Sequence, residues 1–384
     1  MEGIRDDDGP GQGPQTRAPV MQLDTASRRT PAFFDIVLRE RSFLILLTLA
    51  FFVAGAVYPY PHLAAWVGFL FASYSAVAND SIQTIGTFIA SNRSKRWWIL
   101  WLFIGGIFIA TTAYSWFVYD GDVSYQRLAA KGFEKTPTSF SFLQIAAPLF
   151  LLILTRLRMP VSTTFLLLSS FATTPASIGK VLGKSLSGYL LAFVLALLVW
   201  GLVMRLLRAW PRKGEAHPMW RVGQWCTTGF LWSVWLMQDA ANIAVYLPRS
   251  LSGMEYAAFA SIVFGGLGLL FYLGGEKVQQ VVDEKSDVVD VRAATIIDLV
   301  YAGILYYFKM MSNVPMSTTW VFIGLLAGRE LGMSWTRSSA RGMKASIRLM
   351  AKDLAYVTIG LVISLILAFV VNESFQTKIL AAFG

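Results

Sequence analysis

Apolar residues are grouped into long blocks along this chain, with short polar segments between them. The clearest blocks cover residues 43–58, 63–90, 97–119, 142–155, 185–204, 225–247, 256–275, 294–311 and 354–371. These blocks run close to the roughly 20 residues that a helix needs to cross a bilayer, whereas a membrane barrel would show shorter alternating segments. The pattern therefore predicts an all-α, polytopic membrane protein with about nine spans.

Two further apolar segments, 162–172 and 317–328, are shorter than the rest. Each begins with Ser-Thr-Thr, directly after a proline and one apolar residue, which is a helix start signal. At about eleven residues each, they are too short to cross a bilayer. We predict two re-entrant half-helices, a form that is tolerated where the backbone is buried in protein or lines a cavity.

The charge distribution gives information on topology rather than on a nucleic-acid partner. The net charge is +10, but Lys and Arg fall in short loops between apolar blocks. Arginines just before the first block, including Arg28, Arg29, Arg39 and Arg41, place the N-terminus in the cytoplasm. Residues 1–35 are polar and rich in Gly and Pro, which predicts a disordered cytoplasmic tail.

A short polar motif occurs twice inside apolar blocks. Asn79-Asp80-Ser81-Ile82-Gln83 is echoed by Gln238-Asp239-Ala240-Ala241-Asn242, so that an aspartate stands between two amides each time. An aspartate in hydrocarbon costs about 2.5–3.5 kcal/mol, so it is kept where protein or ions compensate it. The aspartates are 159 residues apart (239 minus 80) and the Ser-Thr-Thr groups 155 (317 minus 162).

Loop charges orient the two copies of these motifs in opposite directions across the membrane. The chain is therefore predicted to consist of two transmembrane repeats, residues 36–210 and 211–384. Opposed repeats are the architecture of inverted-repeat secondary transporters, whose binding site lies near the middle of the membrane.

The two Ser-Thr-Thr groups supply the donors that a tetrahedral oxyanion requires. A helix that starts there offers backbone N–H groups, a positive dipole end and hydroxyls. The candidate oxyanion-binding hydroxyls are Ser162, Thr163, Thr164, Ser317, Thr318 and Thr319. The alternative is that these residues only cap helices.

Carboxylate and amide side chains supply oxygen ligands for a cation. Asp80 with Gln83, and Asp239 with Asn242, share a helix face, so each pair can converge on one ligand. The candidate cation-binding residues are Asn79, Asp80, Gln238, Asp239 and Asp298, with sodium near Asp80 and Asp239. Helix packing is the alternative for the aspartate pair, and Asp298 could equally be an acid at a helix end. No cofactor other than the coupling ion is expected.

The motifs resemble those of the inorganic phosphate transporter family, the PiT-type sodium or proton coupled phosphate symporters. The repeats of that family carry Gly-Ala-Asn-Asp-Val-Ala-Asn and Pro-Val-Ser-Thr-Thr-His. This chain has Ala78-Asn79-Asp80 followed by Gln83, Pro160–Thr164, Pro315–Thr319, and a segment from Gly274 to Lys285 that is similar to another family motif. The resemblance covers residues 65–335. It implies that phosphate and its coupling cation are bound by Asp80, Gln83, Asp239, Asn242 and the two Ser-Thr-Thr groups.

The chain departs from the family pattern in each repeat. Gln83 and Gln238 each replace an Asn, while Phe165 and Trp320 stand where His is usual. Each Asn-to-Gln change lengthens one ligand arm, so sulfate or another tetrahedral oxyanion remains an alternative substrate.

The resulting prediction is a membrane transporter, not an enzyme. It would carry out sodium- or proton-coupled symport of inorganic phosphate by alternating access, in a plasma membrane or bacterial inner membrane. The predicted partners are phosphate, the coupling cation and the lipid bilayer, with a homodimer left open and nucleic acid not expected. Two other functions remain open, namely a non-transporting anion receptor or scaffold and an intramembrane aspartyl protease. The Gly-x-Gly-Asp signature of such proteases is absent.

Overall fold

The computed structural model describes residues 40–157, 159, 161–208, 217–273, 291–336, 342–372 and 376–377. Over these ranges the regular structure is helical, without a strand. The chain divides into a short unit, Met1–Leu46, and a large unit, Leu47–Gly384, which contains every residue of the candidate site. The predicted N-terminal tail and the family-like segment from residue 274 to 285 lie outside the described residues.

Twelve α-helices and one short 3₁₀-helix are described in this part of the chain. In chain order they are α1 (Arg41–Val57), α2 (Pro61–Thr84), α3 (Gly86–Ser91), α4 (Trp97–Val118), α5 (Phe142–Arg156), α6 (Thr163–Leu166), the 3₁₀-helix (Leu168–Phe171), α7 (Pro175–Arg208), α8 (Pro218–Ala244), α9 (Gly253–Tyr272), α10 (Val291–Met311), α11 (Thr318–Trp335) and α12 (Met343–Val371).

Eight of the nine predicted apolar blocks correspond to one helix each and the block 63–90 to two, and the all-α polytopic fold is confirmed. In the described part of the chain, six helices are long and apolar enough to cross a membrane, namely α2, α4, α7, α9, α10 and α12. Helices α1 and α5 are apolar but shorter. Helix α8 has 27 residues and carries several buried polar side chains along its length. The chain is therefore an integral membrane protein.

The predicted block 63–90 is divided into two helices. Helix α2 ends at Thr84, and Ile85 has φ −109° and ψ 3° before α3 begins. The Thr84 hydroxyl donates to the Asp80 carbonyl oxygen (2.9 Å), a local bond that competes with the helical ladder. The break places Asp80 in the final turns of α2, and Asp239 occupies the same place in α8.

The two predicted half-helices differ from each other. In the first, α6 has only four residues and a 3₁₀-helix follows it. The second, predicted over 317–328, continues as α11 to Trp335. The re-entrant course of both segments stays a prediction.

Helix α11 is held closely against α7 by a row of glycines at intervals of four residues. A Cβ atom added at Gly324 would overlap the carbonyl oxygen of Tyr189, and one added at Gly328 would overlap that of Phe193. Small residues at this spacing let two helix backbones approach each other within a membrane. This contact fixes the position of the Ser-Thr-Thr group at the start of α11.

We therefore expect Gly328→Ala to destabilise the protein by about 1–3 kcal/mol, because the added methyl group overlaps backbone that cannot rotate away. Gly303→Ala on α10 is the matched control, since nothing lies within 4 Å of a Cβ added there. Thermal unfolding in detergent measures both variants. Equal melting temperatures for the two variants would show that the α7–α11 contact does not depend on Gly328.

Candidate functional site

Four chain segments converge in the interior of the large unit. They are the ends of α2 and α8 and the two Ser-Thr-Thr groups, called here the first tip (Ser162–Thr164) and the second tip (Ser317–Thr319). All predicted phosphate-binding residues are buried, with exposed fractions of at most 8%. Hydrogen bonds join the two tips to Asn79, Asp239 and Asn242. Gln83 is buried near the end of α2.

The two serines act as helix caps. The Ser162 hydroxyl accepts from the Phe165 amide (3.2 Å), and the Ser317 hydroxyl accepts from the Trp320 amide (3.4 Å). Each satisfies one backbone N–H that a helix start leaves without an intrahelical partner. The capping alternative therefore holds for the serine side chains, whereas the threonines make long-range contacts.

The tips are joined by a reciprocal pair of hydrogen bonds. The Thr164 hydroxyl donates to the Met316 carbonyl oxygen (3.3 Å), and the Thr319 hydroxyl donates to the Val161 carbonyl oxygen (3.3 Å). The third residue of each tip thus binds the carbonyl that precedes the other tip. Reciprocal pairing of this kind is what a two-fold relation between repeats produces.

Asp239 connects both tips to α8. One carboxylate oxygen accepts from the Thr318 hydroxyl, and the other accepts from the Thr164 hydroxyl (3.5 Å) and the Asn242 amide (3.0 Å). The Asn242 amide also donates to the hydroxyls of Thr163 (3.0 Å) and Thr164 (3.2 Å). The second copy of the motif therefore holds the tip from the first repeat as well as its own.

Asp80 lies on the first-repeat side of the same cluster, close enough to Asp239 for their charges to interact. The Asn79 amide donates to one Asp80 oxygen (2.7 Å) and to the Val161 carbonyl (3.0 Å). The Thr155 hydroxyl in turn donates to the Asn79 carbonyl oxygen (3.1 Å). Asn79 thereby fixes Asp80 beside the first tip.

Four site residues present buried oxygens without a hydrogen-bond donor. They are Oδ2 of Asp80, Oε1 of Gln83, Oε1 of Gln238 and Oδ1 of Asn242. A buried acceptor without a partner costs about 1–3 kcal/mol. All four atoms accept only, so a cation or a ligand with its own protons is the partner that they lack.

These oxygens fit a hard cation such as sodium. Carboxylate and amide oxygens are the ligands that hard cations take, and the C-terminal ends of α2 and α8 add negative dipole potential beside both aspartates. Within the described ranges no group of three His, Cys, Asp or Glu side chains could hold a metal. A cation here would therefore be bound by amide and carboxylate oxygens together.

Asp298 belongs to a separate polar site. Its carboxylate accepts from the Thr87 hydroxyl (2.9 Å) and from the Thr228 hydroxyl, which ties α10 to α3 and α8. Thr228 lies eleven residues before Asp239 on α8, or about 16 Å along the helix. Asp298 is buried rather than located at an exposed helix end, and its role in a cation path stays a prediction.

Several supporting residues were not predicted from the sequence. The Trp235 indole donates to the Thr318 hydroxyl (3.3 Å), the Tyr301 hydroxyl to the Thr318 carbonyl (3.0 Å), and the Ser317 amide to the Ser185 hydroxyl (2.9 Å). All three side chains fall inside apolar blocks, where hydropathy gives no signal for them. Arg127 lies in the polar loop between α4 and α5, where the sequence pattern gives no sign of burial, yet its side chain is completely buried.

Comparison with known proteins identifies a shared fold. No protein-family model and no curated protein matches the sequence. Among solved structures, the chain is similar to one described as "The sodium-dependent phosphate transporter", with a TM-score of 0.55 and 16% sequence identity. The match covers 83% of this chain and 99% of that one. At 16% sequence identity, the comparison shows that the two chains share a fold.

The hydrogen bonds between the tips predict that Thr164→Val destabilises the protein more than Thr319→Val does. Thr319→Val removes one of the two hydrogen bonds to the Val161 carbonyl oxygen, and the bond from Asn79 remains. We therefore expect the free energy of unfolding to fall by about 1 kcal/mol. Thr164→Val should cost about twice as much, because that hydroxyl also contacts Asp239 and Asn242.

Melting temperatures in detergent provide the measurement, with Thr358→Val as the control. Thr358 is exposed, and its hydroxyl binds the Leu354 carbonyl on its own helix. If Thr319→Val proved more destabilising than Thr164→Val, the described arrangement of the tips would be wrong.

Proposed function

We propose that this protein transports inorganic phosphate across a membrane, coupled to a cation that binds at Asp80 and Asp239. One observation carries the proposal: a single buried carboxylate, Asp239, is hydrogen-bonded to the Ser-Thr-Thr tips of both repeats. Hydroxyl donors for an anion and oxygen ligands for a cation therefore lie in one cluster. The fold shared with a sodium-dependent phosphate transporter supports the same function.

Cation and anion binding would be coupled electrostatically. Two aspartates close to one another in a buried site repel an incoming anion, and a cation bound between them removes that repulsion. The cation in turn gains from the anion next to it, so each ligand raises the affinity of the other. Because of this coupling, the cation and the anion are transported together.

The acceptor oxygens favour phosphate over sulfate. Phosphate at neutral pH carries at least one P–OH donor, whereas sulfate has acceptor oxygens only. The buried oxygens of Gln83 and Asn242 that lack a donor can accept from such a hydroxyl. A site whose oxygens accept from a P–OH group binds sulfate less well, because those acceptor oxygens then stay without a hydrogen-bond partner.

Burial of the site supports alternating access. The hydroxyls of Thr163, Thr164, Thr318 and Thr319 are each about 1% exposed, so neither side of the membrane reaches them in this conformation. An anion enters when the reciprocal bonds between the tips open. The break at Ile85 and the short α6 supply places where the chain can move without disrupting a long helix.

The alternative functions receive less support from the contacts. Among the described residues no hydrogen bond joins Asp80 to Asp239, and their partners are amides and hydroxyls rather than each other. A general acid/base dyad would share a proton between the two carboxylates. A receptor without transport would bind phosphate at the same residues, and the uptake measurement separates it from a transporter.

Purified protein in proteoliposomes should take up labelled phosphate when sodium or a proton gradient is supplied. We expect Asp80→Asn and Asp239→Asn each to reduce uptake by about tenfold or more, since a hydrogen bond to a charged group contributes roughly 1.5–3 kcal/mol. Unlabelled sulfate in excess should compete poorly.

Asp120→Asn is the matched control, because Asp120 is exposed and has a positive φ of 50° that Asn tolerates. It should transport as the wild type does. The proposal would be refuted if the protein transported neither phosphate nor sulfate under any cation gradient and if both aspartate variants bound phosphate as the wild type does.

Asp298 should affect the cation rather than the anion. We expect Asp298→Asn to raise the cation concentration needed for half-maximal uptake, while the phosphate KM at saturating cation stays unchanged, because Thr87 and Thr228 are its contacts and neither belongs to the tips. Cation titrations of uptake provide the measurement. A change confined to the phosphate KM would place Asp298 in the anion site instead.

A further inference from the structure

Three basic side chains gather beside the loop that leads into the second tip. They are Arg127, from the loop between α4 and α5, Lys184 on α7 and Lys309 on α10. Arg127 and Lys184 both donate to the carbonyl oxygen of Ser312, the lysine at 3.1 Å. Lys184 also binds the Val314 carbonyl (2.6 Å), and the positive charges of all three residues repel one another. These residues are called the basic cluster below.

Tyr125 and Gln126, the two residues before Arg127, have positive φ angles of 53° and 62°. The Arg127 side chain is 0% exposed, which makes it the largest fully buried side chain among the described residues. Burial lowers its pKa to about 10, and the charge of Asp239 acts in the opposite direction. The guanidinium therefore stays charged at neutral pH.

Among the described residues, no carboxylate is in direct contact with the basic cluster. Arg127 donates through Nε to the Met237 carbonyl (3.2 Å) and through Nη1 to Ser312, whereas its buried Nη2 has no acceptor. The Lys309 ammonium lies 5.8 Å from the centre of the Tyr125 ring. A buried charge is normally paired, and a buried donor without an acceptor is costly. An anion would satisfy both requirements.

The position of the cluster connects it to the proposed phosphate site. Met237 lies two residues before Asp239, and residues 312–314 lead directly into Pro315 and the second tip. Lys184, Lys309 and Ser312 are only partly buried, and Asn313 is exposed. The cluster thus extends from the protein surface to the edge of the buried site.

Resting on the proposed function, we propose that Arg127, Lys184 and Lys309 form a second anion site, which binds a tetrahedral oxyanion before it reaches the tips. The Arg127 guanidinium and the two ammonium groups offer N–H donors only, which suits the oxygens of phosphate. The site needs no cation, because it contains positive charge of its own. It raises the local phosphate concentration at the opening of the transport route.

The test is equilibrium binding of labelled inorganic phosphate to the full-length protein in sodium-free choline gluconate at neutral pH. The wild type should bind phosphate saturably, and Arg127→Gln and Lys184→Gln should each weaken that binding by about tenfold. Arg127→Lys, which keeps the charge, should retain most of it. Lys180→Gln is the matched control, being exposed and one turn from Lys184 on the same helix.

Uptake kinetics give the second measurement. Arg127→Gln and Lys184→Gln should raise the phosphate KM while the maximal rate at saturating phosphate is retained. Wild-type binding that requires sodium, or sodium-free binding unchanged in both variants, would overturn the proposal. A lowered maximal rate with an unchanged phosphate KM would also overturn the proposal, because Arg127 would then only balance the charge of Asp239.

The outcome separates this site from the transport function. Sodium-free phosphate binding that is lost in Lys184→Gln, in a protein without uptake, would support the second site and refute transport. Uptake with an unchanged phosphate KM in both variants would support transport and refute the second site. Since Lys184 is partly exposed, its variant keeps the test valid if Arg127→Gln fails to fold.

Discussion

The buried carboxylate of Asp239 is the constraint on which the rest of the site depends. An ionised carboxylate inside a membrane protein requires donors around it, and Asp239 takes them from Thr164, Thr318 and Asn242. Because two of these donors belong to different repeats, satisfying one charge also brings the two tips together. The second tip is placed beside Asp239 by the close approach of α11 to α7. Asp80 is placed there by the end of α2, where the helix breaks.

The two repeats share their motifs but use them unequally. Asn79 binds the carbonyl before the first tip, whereas its counterpart Gln238 reaches the Leu305 carbonyl on α10 (3.1 Å). Asn242 donates to the hydroxyls of the first tip, whereas Gln83 has no described contact with either tip. The two motif copies therefore differ in their contacts, and Asp239 is the aspartate that is hydrogen-bonded to both tips.

Much of this arrangement could be predicted from the sequence, because hydropathy blocks and duplicated motifs reflect local chemistry. The helices were predicted in this way, and the duplicated motifs singled out Asp239 and the two tips that contact it, while the binding roles of these residues stay predictions. Interactions between distant segments leave no such pattern. The burial of Arg127 depends on a loop turn at Tyr125 and Gln126, and loop charge counts cannot reveal it. The distance of Asp298 from Asp239 likewise follows from helix packing that composition does not encode.

The most direct test of the account is a density map of the protein in lipid with sodium and phosphate present. The account predicts a tetrahedral anion between the hydroxyls of Thr163 and Thr318, with cation density against Asp80. Phosphate density at a different place, or tips that remain bonded to each other with no ligand between them at saturating phosphate, would contradict it.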